Sequence, residues 1–287
     1  MASLQKLVED NAQSGACMQP DAFAQSGALM QSGARLGFQP LIIERRPSDE
    51  PGLPLIKETA RQHKLIVLRG FEPLTEDQFV QSCSSWGEML RWPFGYVLNL
   101  FEHSEPSNYL FTSGKVPFHW DGAFTEQVPE FQIFQCLSAP SNDCGGETLF
   151  SDTTALVNSL TKTQRDLFSK ISITYHTERV AHYGGKFTSP LICSHVRTGE
   201  PVLRFGEPAD ELTSSLNPFT LTTHGVLYDD EQLLFHQLRE LLYAPQFCYS
   251  HQWQTGDFLI ADNFSLLHGR NPFTSKCGRH IQRIHVL

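Results

Sequence analysis

From about residue 90 onward, the chain is a series of short apolar segments separated by Gly, Pro and Asn. FGYVLNLF, EFQIFQCLSAP, ETLFSD and DFLIADN are members of this series. Two stretches with helical spacing, near 153–170 and 230–242, interrupt it. Many strands at short intervals, with turn residues between them, are typical of a barrel or sandwich whose helices pack outside. The pattern therefore predicts a mainly β fold with flanking helices.

The segment upstream of this series carries helical and strand signals of its own. Residues 53–63 have helical spacing and run directly into KLIVLRGF, in which Ile66 to Leu68 predict a buried strand. Thr75, followed three residues later by Gln78, matches a capping box that opens a helix. We expect these helices to pack outside a β core over about 90–287.

The first 35 residues differ in composition from the rest of the chain. AQSGA at 12–16 recurs at 24–28, and large apolar residues are scarce in this region. A segment with so little apolar surface cannot bury a core. We therefore predict a low-complexity, flexible N-terminal arm over 1–35 and a single folded domain over 36–287.

Composition and charge narrow the classes of partner. The 22 Lys and Arg residues against 31 Asp and Glu residues give a net charge of −9, which argues against a chain that coats nucleic acid or an anionic membrane. The seven cysteines are scattered and include no C-x-x-C pair, so they predict neither a disulfide framework nor a cysteine zinc site. The apolar runs are far shorter than the roughly 20 residues that span a bilayer. We expect a cytoplasmic protein with no nucleic acid and no membrane as partner, and we leave open whether it forms a homo-oligomer.

A candidate metal site is indicated by His119 and Asp121 in VPFHWDGAF. On an extended strand, two residues separated by one lie on the same face, roughly 6.6 Å apart along the chain. His268 follows the strand predicted in DFLIADN, near the other end of the sequence. Two histidines and one carboxylate form the facial triad of non-haem Fe(II) oxygenases, which leaves positions open for co-substrate and dioxygen. Zinc hydrolysis is the competing use of such ligands, but the sequence contains no H-E-x-x-H motif.

Basic residues cluster at the C-terminal end. No acidic residue follows Asp262, whereas Arg270, Lys276, Arg279 and Arg283 all lie in that span. In RHIQRIHVL, strand alternation places Arg279 and Arg283 on one face. Either guanidinium could pair bidentately with a carboxylate of a dicarboxylate co-substrate beside the metal. The alternative is a basic terminal strand that only offsets the acidic remainder of the chain.

Several of these motifs, in this order and spacing, resemble the TauD/TfdA family of Fe(II)/2-oxoglutarate-dependent dioxygenases. HWDG, GGETLF at 145–150, ADNFSLLHGR and the two C-terminal arginines carry the resemblance, which extends from about residue 40 to the end. It implies a double-stranded β-helix core, of the jelly-roll, cupin-like type, and the use of Fe(II), 2-oxoglutarate and O2. The implied iron ligands are His119, Asp121 and His268. The residues implied to hold 2-oxoglutarate are Thr148 and Arg279, with Arg283 close to the co-substrate or the substrate.

Other segments narrow the resemblance to one branch of that family. WPFG, VPEFQIFQC and HQWQTGDFLIADNFSLLHGR are similar to the PvcB-type isonitrile-pathway oxygenases. This similarity implies that the substrate is tyrosine isonitrile or a close aryl isonitrile acid. It implies desaturation, often with loss of the carboxylate, to a vinyl isonitrile. The alternatives are a TauD/TfdA-type hydroxylase of another small carboxylate or sulfonate, and a non-catalytic cupin-like metal-binding protein.

Further residues are candidates for substrate binding. An aryl substrate needs an apolar wall, and Trp92, Phe94 and Phe124 flank the metal motif in sequence. Lys115 shares strand parity with that motif. We therefore expect Lys115 or Arg283 to hold the carboxylate of the substrate.

The remaining histidines divide into one candidate for the site and several expected to be structural. His182 and Tyr183 precede the flexible pair Gly184-Gly185, which suits a lid over the site. His251 alternates with aromatic residues, and we expect it to pack in the structure or to contact a ligand residue. We expect His280 and His285 to cap or line strands.

Overall fold

The structure, a computed structural model, describes residues 37–45, 53–125, 127–141, 143–180, 183–208, 215–216, 218–227 and 230–287. The N-terminal arm predicted over 1–35 lies outside the described residues. No helix in the described part of the chain is both long enough and apolar enough to cross a membrane.

The described elements alternate between many short strands and a few short helices. In chain order the strands are β1 (Leu41–Glu44), β2 (Leu65–Arg69), β3 (Leu98–Leu100), β4 (Val116–His119), β5 (Phe131–Ser138), β6 (Thr148–Asp152), β7 (Ser172–Val180), β8 (Tyr183–Pro190), β9 (Ile192–Ser194), β10 (Pro201–Leu203), β11 (Phe219–His224), β12 (Cys248–His251), β13 (Phe258–Asp262), β14 (Leu266–Arg270) and β15 (His280–Val286). The helices are α1 (Lys57–His63), α2 (Glu76–Ser84), α3 (Thr153–Ser159), α4 (Lys162–Phe168) and α5 (Glu231–Leu242), with a 3-10 turn at Tyr109–Phe111.

Two sheets that face each other form the centre of the fold. The main sheet has the order β1-β2-β13-β5-β15-β3, and the second sheet has the order β12-β6-β14-β4. Apolar side chains of both sheets form one buried cluster between them, in which the rings of Phe134 in β5 and Phe150 in β6 meet edge to face at 6.4 Å. The predicted mainly β fold with a jelly-roll core and flanking helices is confirmed.

Both faces of the main sheet are covered, which explains its continuous apolar runs. In β13, Leu259 and Ala261 face the second sheet, whereas Phe258 and Ile260 pack against a cluster that includes residues of α1 and α2. Because successive strand residues point to opposite faces, a strand buried on both sides needs an apolar residue at every position. The runs FLIA and LIVL satisfy this requirement.

The predicted start of the β core at about residue 90 is wrong. β2 pairs antiparallel with β13 in the interior of the main sheet, and β1 pairs parallel with β2 at its edge. The physical reason is that Leu65 to Leu68 are fully buried and need backbone partners, which only a neighbouring strand can supply in number. The core therefore draws strands from both sides of α1 and α2.

The outer face of the second sheet is covered by a third layer. Residues of α3, α5 and the three-stranded sheet β11-β7-β8 form a buried cluster there with Phe118, Leu149 and Leu267. The helices α3, α4 and α5 occupy the two interruptions predicted from helical spacing. This layer walls one side of the cavity described below.

The capping box predicted at Thr75 is present. The Thr75 hydroxyl accepts a hydrogen bond from the Gln78 backbone N–H, and the Gln78 side chain accepts one from the Thr75 N–H at 3.0 Å. The helix that follows places Phe79 and Cys83 against the main sheet. The cap thus orients a helix that covers the core.

Replacing Thr75 by alanine should lower the free energy of unfolding by about 1 kcal/mol, because one N-terminal N–H of α2 loses its acceptor. Urea or thermal unfolding of Thr75→Ala beside the wild-type chain measures the loss. Thr75→Ser keeps the hydroxyl and should stay close to wild type. Equal stability of all three proteins would contradict a stabilising cap.

Candidate active site

Two strands of the second sheet bring the predicted metal-binding histidines together. His119 ends β4 and pairs directly with His268 of β14, so that the two ring centroids lie 4.2 Å apart. A side chain at Gly269 would place a Cβ 2.8 Å from the Val116 carbonyl oxygen, so glycine permits the close approach of β14 to β4. One ligand atom of each of His119, Asp121 and His268 lies within 4.8 Å of the others.

The turn that carries Asp121 is held by the side chain of Asn263. The Asn263 amide oxygen accepts from the Asp121 N–H at 3.1 Å, and its NH2 group donates to the carbonyl oxygens of Asp121 at 3.0 Å and Pro129 at 2.9 Å. Gly122 follows with a φ of +89°, and a Cβ there would meet the Pro129 ring at 2.7 Å. Glycine and a buried amide therefore shape this turn.

The Asp121 carboxylate is surrounded by donors. Its Oδ2 forms an ion pair with Arg283 Nη1 at 2.7 Å, and it accepts hydrogen bonds from His285 Nε2 at 2.7 Å and from the amide of Gln132. Burial alone would raise the pKa of Asp121, but Arg283, followed by His268 and His285, holds this pKa well below its usual value. The group is therefore a carboxylate anion near neutral pH.

The two histidines of the cluster are neutral. Burial lowers the pKa of His268 well below its usual value, and His119 and Arg283 lower it further. Burial also lowers the pKa of His119, whose Nδ1–H donates to the Pro117 carbonyl at 2.9 Å. Nε2 of His119 therefore carries a lone pair that can bind a metal ion, and it lies 3.7 Å from Asp121 Oδ1.

A second polar pocket lies around Arg279, just before β15. The Arg279 Nε donates to the Gly146 carbonyl at 3.0 Å, and Nη2 approaches the Thr148 hydroxyl at 3.5 Å. That hydroxyl also accepts from Trp253 Nε1 at 2.9 Å. Arg279 Nη1 is buried without a hydrogen-bond partner among the described residues, and burial lowers the pKa of Arg279 to about 10. A buried cation with an unpartnered nitrogen of this kind suits an anionic partner.

The other two arginines of the C-terminal run are already engaged. Arg283 pairs with Asp121 and contacts His268 Nε2 at 3.3 Å. Arg270 donates to the carbonyl oxygens of three residues in one loop, Leu110, Thr112 and Gly114. Among the three, Arg279 is the one with an unpartnered terminal nitrogen in the described part of the chain.

A cavity of about 640 Å³ opens beside the histidine and aspartate cluster. Its wall includes His119, Asp121 and Arg283, and most of the other lining residues are apolar, nine of them aromatic. All three residues predicted to form an apolar wall line it, namely Trp92, Phe94 and Phe124. The rings of Trp92 and Phe94 stack almost in parallel, with centroids 6.1 Å apart. The chain thus has a pocket of the size and character that an aryl acid needs.

The remaining predicted substrate residues have different locations. The Lys115 ammonium lies 3.5 Å from Glu207 Oε1 and 4.6 Å from the centroid of the Tyr243 ring, and Lys115 is not among the described residues that line the cavity. Glu207 does line the cavity. His182 lies outside the described residues, and for Tyr183 only the backbone is described. Their roles stay predictions.

Sequence reasoning missed several residues that touch the cluster. His285 was expected only to line a strand, yet it contacts Asp121 directly, and Gln132 and Asn263 were not singled out at all. A signal for His285 existed, because strand alternation puts it on the same face as Arg283. Nothing in the local sequence indicates Gln132, which reaches the site from β5 of the opposite sheet.

Comparisons with known proteins agree with this geometry. A family model described as "Taurine catabolism dioxygenase TauD, TfdA family" matches residues 37–285. The chain belongs to the TauD/TfdA family. It is a non-haem Fe(II)/2-oxoglutarate-dependent dioxygenase, as the resemblance predicted.

Individual TauD/TfdA relatives point to one branch. The chain is 50% identical over 226 residues to 3-((Z)-2-isocyanoethenyl)-1H-indole synthase of Fischerella ambigua. The matched residues cover 79% of this chain and 83% of that protein. It is 41% identical to tyrosine isonitrile desaturase of Erwinia amylovora, over 78% of this chain and 77% of that protein. A solved structure of PvcB, an Fe, alpha-ketoglutarate dependent oxygenase from an isonitrile synthetic pathway, superposes with a TM-score of 0.70 at 32% identity and covers 91% of this chain and 95% of that one. The predicted branch is confirmed.

The side chains of the cluster and of the Arg279 pocket suit the groups that a TauD/TfdA dioxygenase binds. Two neutral imidazoles and one carboxylate anion form the donor set that suits Fe(II). The unpartnered Nη1 of Arg279, close to the Thr148 hydroxyl, suits a carboxylate group of 2-oxoglutarate.

Replacing Asn263 by alanine should destabilise the protein by about 1–3 kcal/mol, because three backbone groups around Asp121 lose their partner. The midpoint of thermal unfolding of metal-free protein measures this effect. Asn263→Asp keeps the acceptor for the Asp121 N–H but loses both donated bonds, and should also unfold earlier than wild type. If Asn263→Ala had the same unfolding midpoint as the wild type, the Asn263 amide would not hold this turn.

Proposed function

We propose that this dioxygenase desaturates tyrosine isonitrile, or a close aryl isonitrile acid, to a vinyl isonitrile with loss of the carboxylate. The observation that carries the proposal is the aromatic cavity, because it runs from Trp92 and Phe94 to the side chains of His119 and Asp121. The relatives named as an isocyanoethenyl-indole synthase and a tyrosine isonitrile desaturase support it. We also propose that residues 36–287 act as a single catalytic domain, since the family match extends over 37–285.

In this proposal each polar residue of the site has one task. His119, Asp121 and His268 hold Fe(II), and Thr148 and Arg279 hold the distal carboxylate of 2-oxoglutarate. When bound together, Fe(II), 2-oxoglutarate and O2 supply the oxidising power that removes hydrogen from the substrate. The protein contributes position and the exclusion of water.

The substrate is held at both ends. The parallel rings of Trp92 and Phe94, with Phe124 on the same cavity, pack against the aryl group. Each candidate cation already has an acid partner, Asp121 for Arg283 and Glu207 for Lys115. Arg283 lines the cavity and Lys115 is not among the described residues that do, so Arg283 is the stronger candidate to hold the carboxylate of the substrate. This placement turns the carbon between the ring and the isonitrile-bearing carbon toward the metal ligands.

The chemistry of such a substrate favours an alkene. The benzylic C–H is the weakest bond near the site, and the ring stabilises positive charge on that carbon. Loss of the neighbouring carboxylate as CO2 then forms the double bond. The balance is one substrate, one 2-oxoglutarate and one O2 consumed, with one alkene, one succinate, two CO2 and one water formed.

Incubation of the iron-loaded protein with tyrosine isonitrile, 2-oxoglutarate and air should give the vinyl isonitrile, with one succinate formed per substrate consumed. Mass spectrometry identifies the product, and the indole analogue is assayed in parallel. His268→Ala, which removes one proposed ligand at the mouth of the fold, should give neither product nor substrate-stimulated succinate.

Two outcomes would change the proposal. A product heavier by one oxygen would favour the hydroxylase alternative. Failure of both aryl isonitriles to stimulate succinate formation would show that the substrate is of another kind.

Replacing Arg279 by alanine should weaken 2-oxoglutarate binding by roughly 2–5 kcal/mol, because a carboxylate in a desolvated pocket loses its charged partner. Titration of the metal-loaded protein with 2-oxoglutarate measures the dissociation constant. Arg279→Lys keeps the charge but not the two parallel hydrogen bonds of a guanidinium. Its dissociation constant for 2-oxoglutarate should therefore lie between those of the wild type and Arg279→Ala. Wild-type binding by Arg279→Ala would move the role to Arg283 or Arg270.

A further inference from the structure

The hydrogen bonds of Asp121 are distributed unevenly between its two oxygens. Oδ2 accepts hydrogen bonds from His285 and Gln132 and also forms the ion pair with Arg283. A carboxylate oxygen has about two in-plane lone pairs, so the two hydrogen bonds from His285 and Gln132 occupy both lone pairs of Oδ2. Oδ1, which faces His119 Nε2 at 3.7 Å, is the oxygen left for a further partner.

The His285 donor is fixed by a neighbour on the cavity wall. Trp92 Nε1 donates to His285 Nδ1 at 3.1 Å. An indole N–H only donates, so Nδ1 of His285 must carry the lone pair and Nε2 must carry the proton. That proton is the one directed at Asp121 Oδ2. A chain of two hydrogen bonds therefore runs from Trp92 through His285 to Asp121.

His285 differs from Arg283 and Gln132, the other two groups that contact Oδ2. Arg283 and Gln132 also lie against His268, so changing either one disturbs two proposed ligands at once. The His285 imidazole, by contrast, hydrogen bonds within the described residues to Asp121 on one side and to Trp92 on the other. It is 1% exposed, so water does not replace either partner.

We propose that His285 is a positioning residue that holds Oδ2 so that Asp121 binds the metal through Oδ1 alone, and that Trp92 acts on the metal site by fixing the tautomer of His285. The inference rests on the proposed assignment of Asp121 as a ligand. It links the wall of the aryl pocket to the metal site: a substitution at Trp92 alters metal affinity as well as substrate binding. Groups that orient a metal ligand from behind commonly change metal affinity 10- to 100-fold when removed.

The experiment measures the dissociation constant of Mn(II) by chelator competition, with the full chain and without 2-oxoglutarate or substrate. His285→Leu removes the donor and should weaken Mn(II) binding about 10- to 100-fold. His285→Gln can place an amide N–H near the position of Nε2 and should restore most of the affinity. Trp92→Phe keeps the ring but loses the indole N–H, and should weaken binding by less than His285→Leu.

The double variant tests whether Trp92 acts through His285. Once the imidazole is absent, Trp92→Phe should cause no further loss of Mn(II) affinity. The double variant should therefore bind Mn(II) as tightly as His285→Leu does. The matched control is His280→Leu on the same strand, because His280 Nε2 donates to Asn99 Oδ1 at 2.9 Å and not to the cluster. It should bind Mn(II) as wild type does.

Each outcome decides the inference. Wild-type Mn(II) affinity in His285→Leu, or an equal loss in His285→Gln and His285→Leu, would overturn the donor role. A double variant weaker than His285→Leu would overturn the role of Trp92. Thermal unfolding of each metal-free variant identifies one that does not fold, and the comparison of His285→Gln with Trp92→Phe then carries the test.

Failure of the metal assignment gives a different result. His268→Ala in the same assay loses Mn(II) if the ligand assignment is right. If His268→Ala binds Mn(II) as wild type does, the proposed ligands are wrong. If it loses Mn(II) while His285→Leu does not, only the positioning role fails.

Discussion

β4 and β14 pair in a register that sets His119 directly opposite His268. A shift of one residue would turn one imidazole to the other face of the sheet, because side chains alternate along a strand. Close approach at Gly269 and the Asn263 clamp on the turn after β4 both act on this register. The cluster that the metal would occupy is therefore a consequence of backbone pairing.

Arg279 and Arg283, just before β15 and within it, have different electrostatic roles. Arg283 neutralises Asp121, so that a carboxylate can be buried beside two imidazoles as an anion. Arg279 has no acid partner among the ion pairs of the described residues, and its Nη1 remains without a hydrogen bond. Arg283 therefore stabilises the buried Asp121 carboxylate, and Arg279 is available to an anionic co-substrate.

Burial on both faces of the main sheet makes this arrangement rigid. Helices α1 and α2 cover one face, and the second sheet covers the other. The outer layer of α3, α5 and the three-stranded sheet then closes the aromatic cavity, to which Tyr175 and Phe219 contribute from β7 and β11. Polar residues at the site are thus held by packed strands, as precise positioning of a substrate requires.

Local and periodic features of this chain were readable from the sequence. The capping box at Thr75, the doubly buried runs and the pairing of His119 with Asp121 on one short segment each depend on residues within a few positions of one another. The order of HWDG, ADNFSLLHGR and the final arginines was distinctive enough to indicate the family. Segments such as WPFG and VPEFQIFQC indicated its branch.

Tertiary structure alone decided the contacts between segments far apart in sequence. The entry of β2 into the main sheet, the reach of Gln132 from the opposite sheet and the pairing of Lys115 with Glu207 all follow from strand order and register. No spacing rule in one chain encodes such contacts, because they join residues separated by tens to hundreds of positions. His285 shows the boundary: alternation predicted the face on which it lies, but only the packing of Trp92 on one side and Asp121 on the other gave that imidazole its partners.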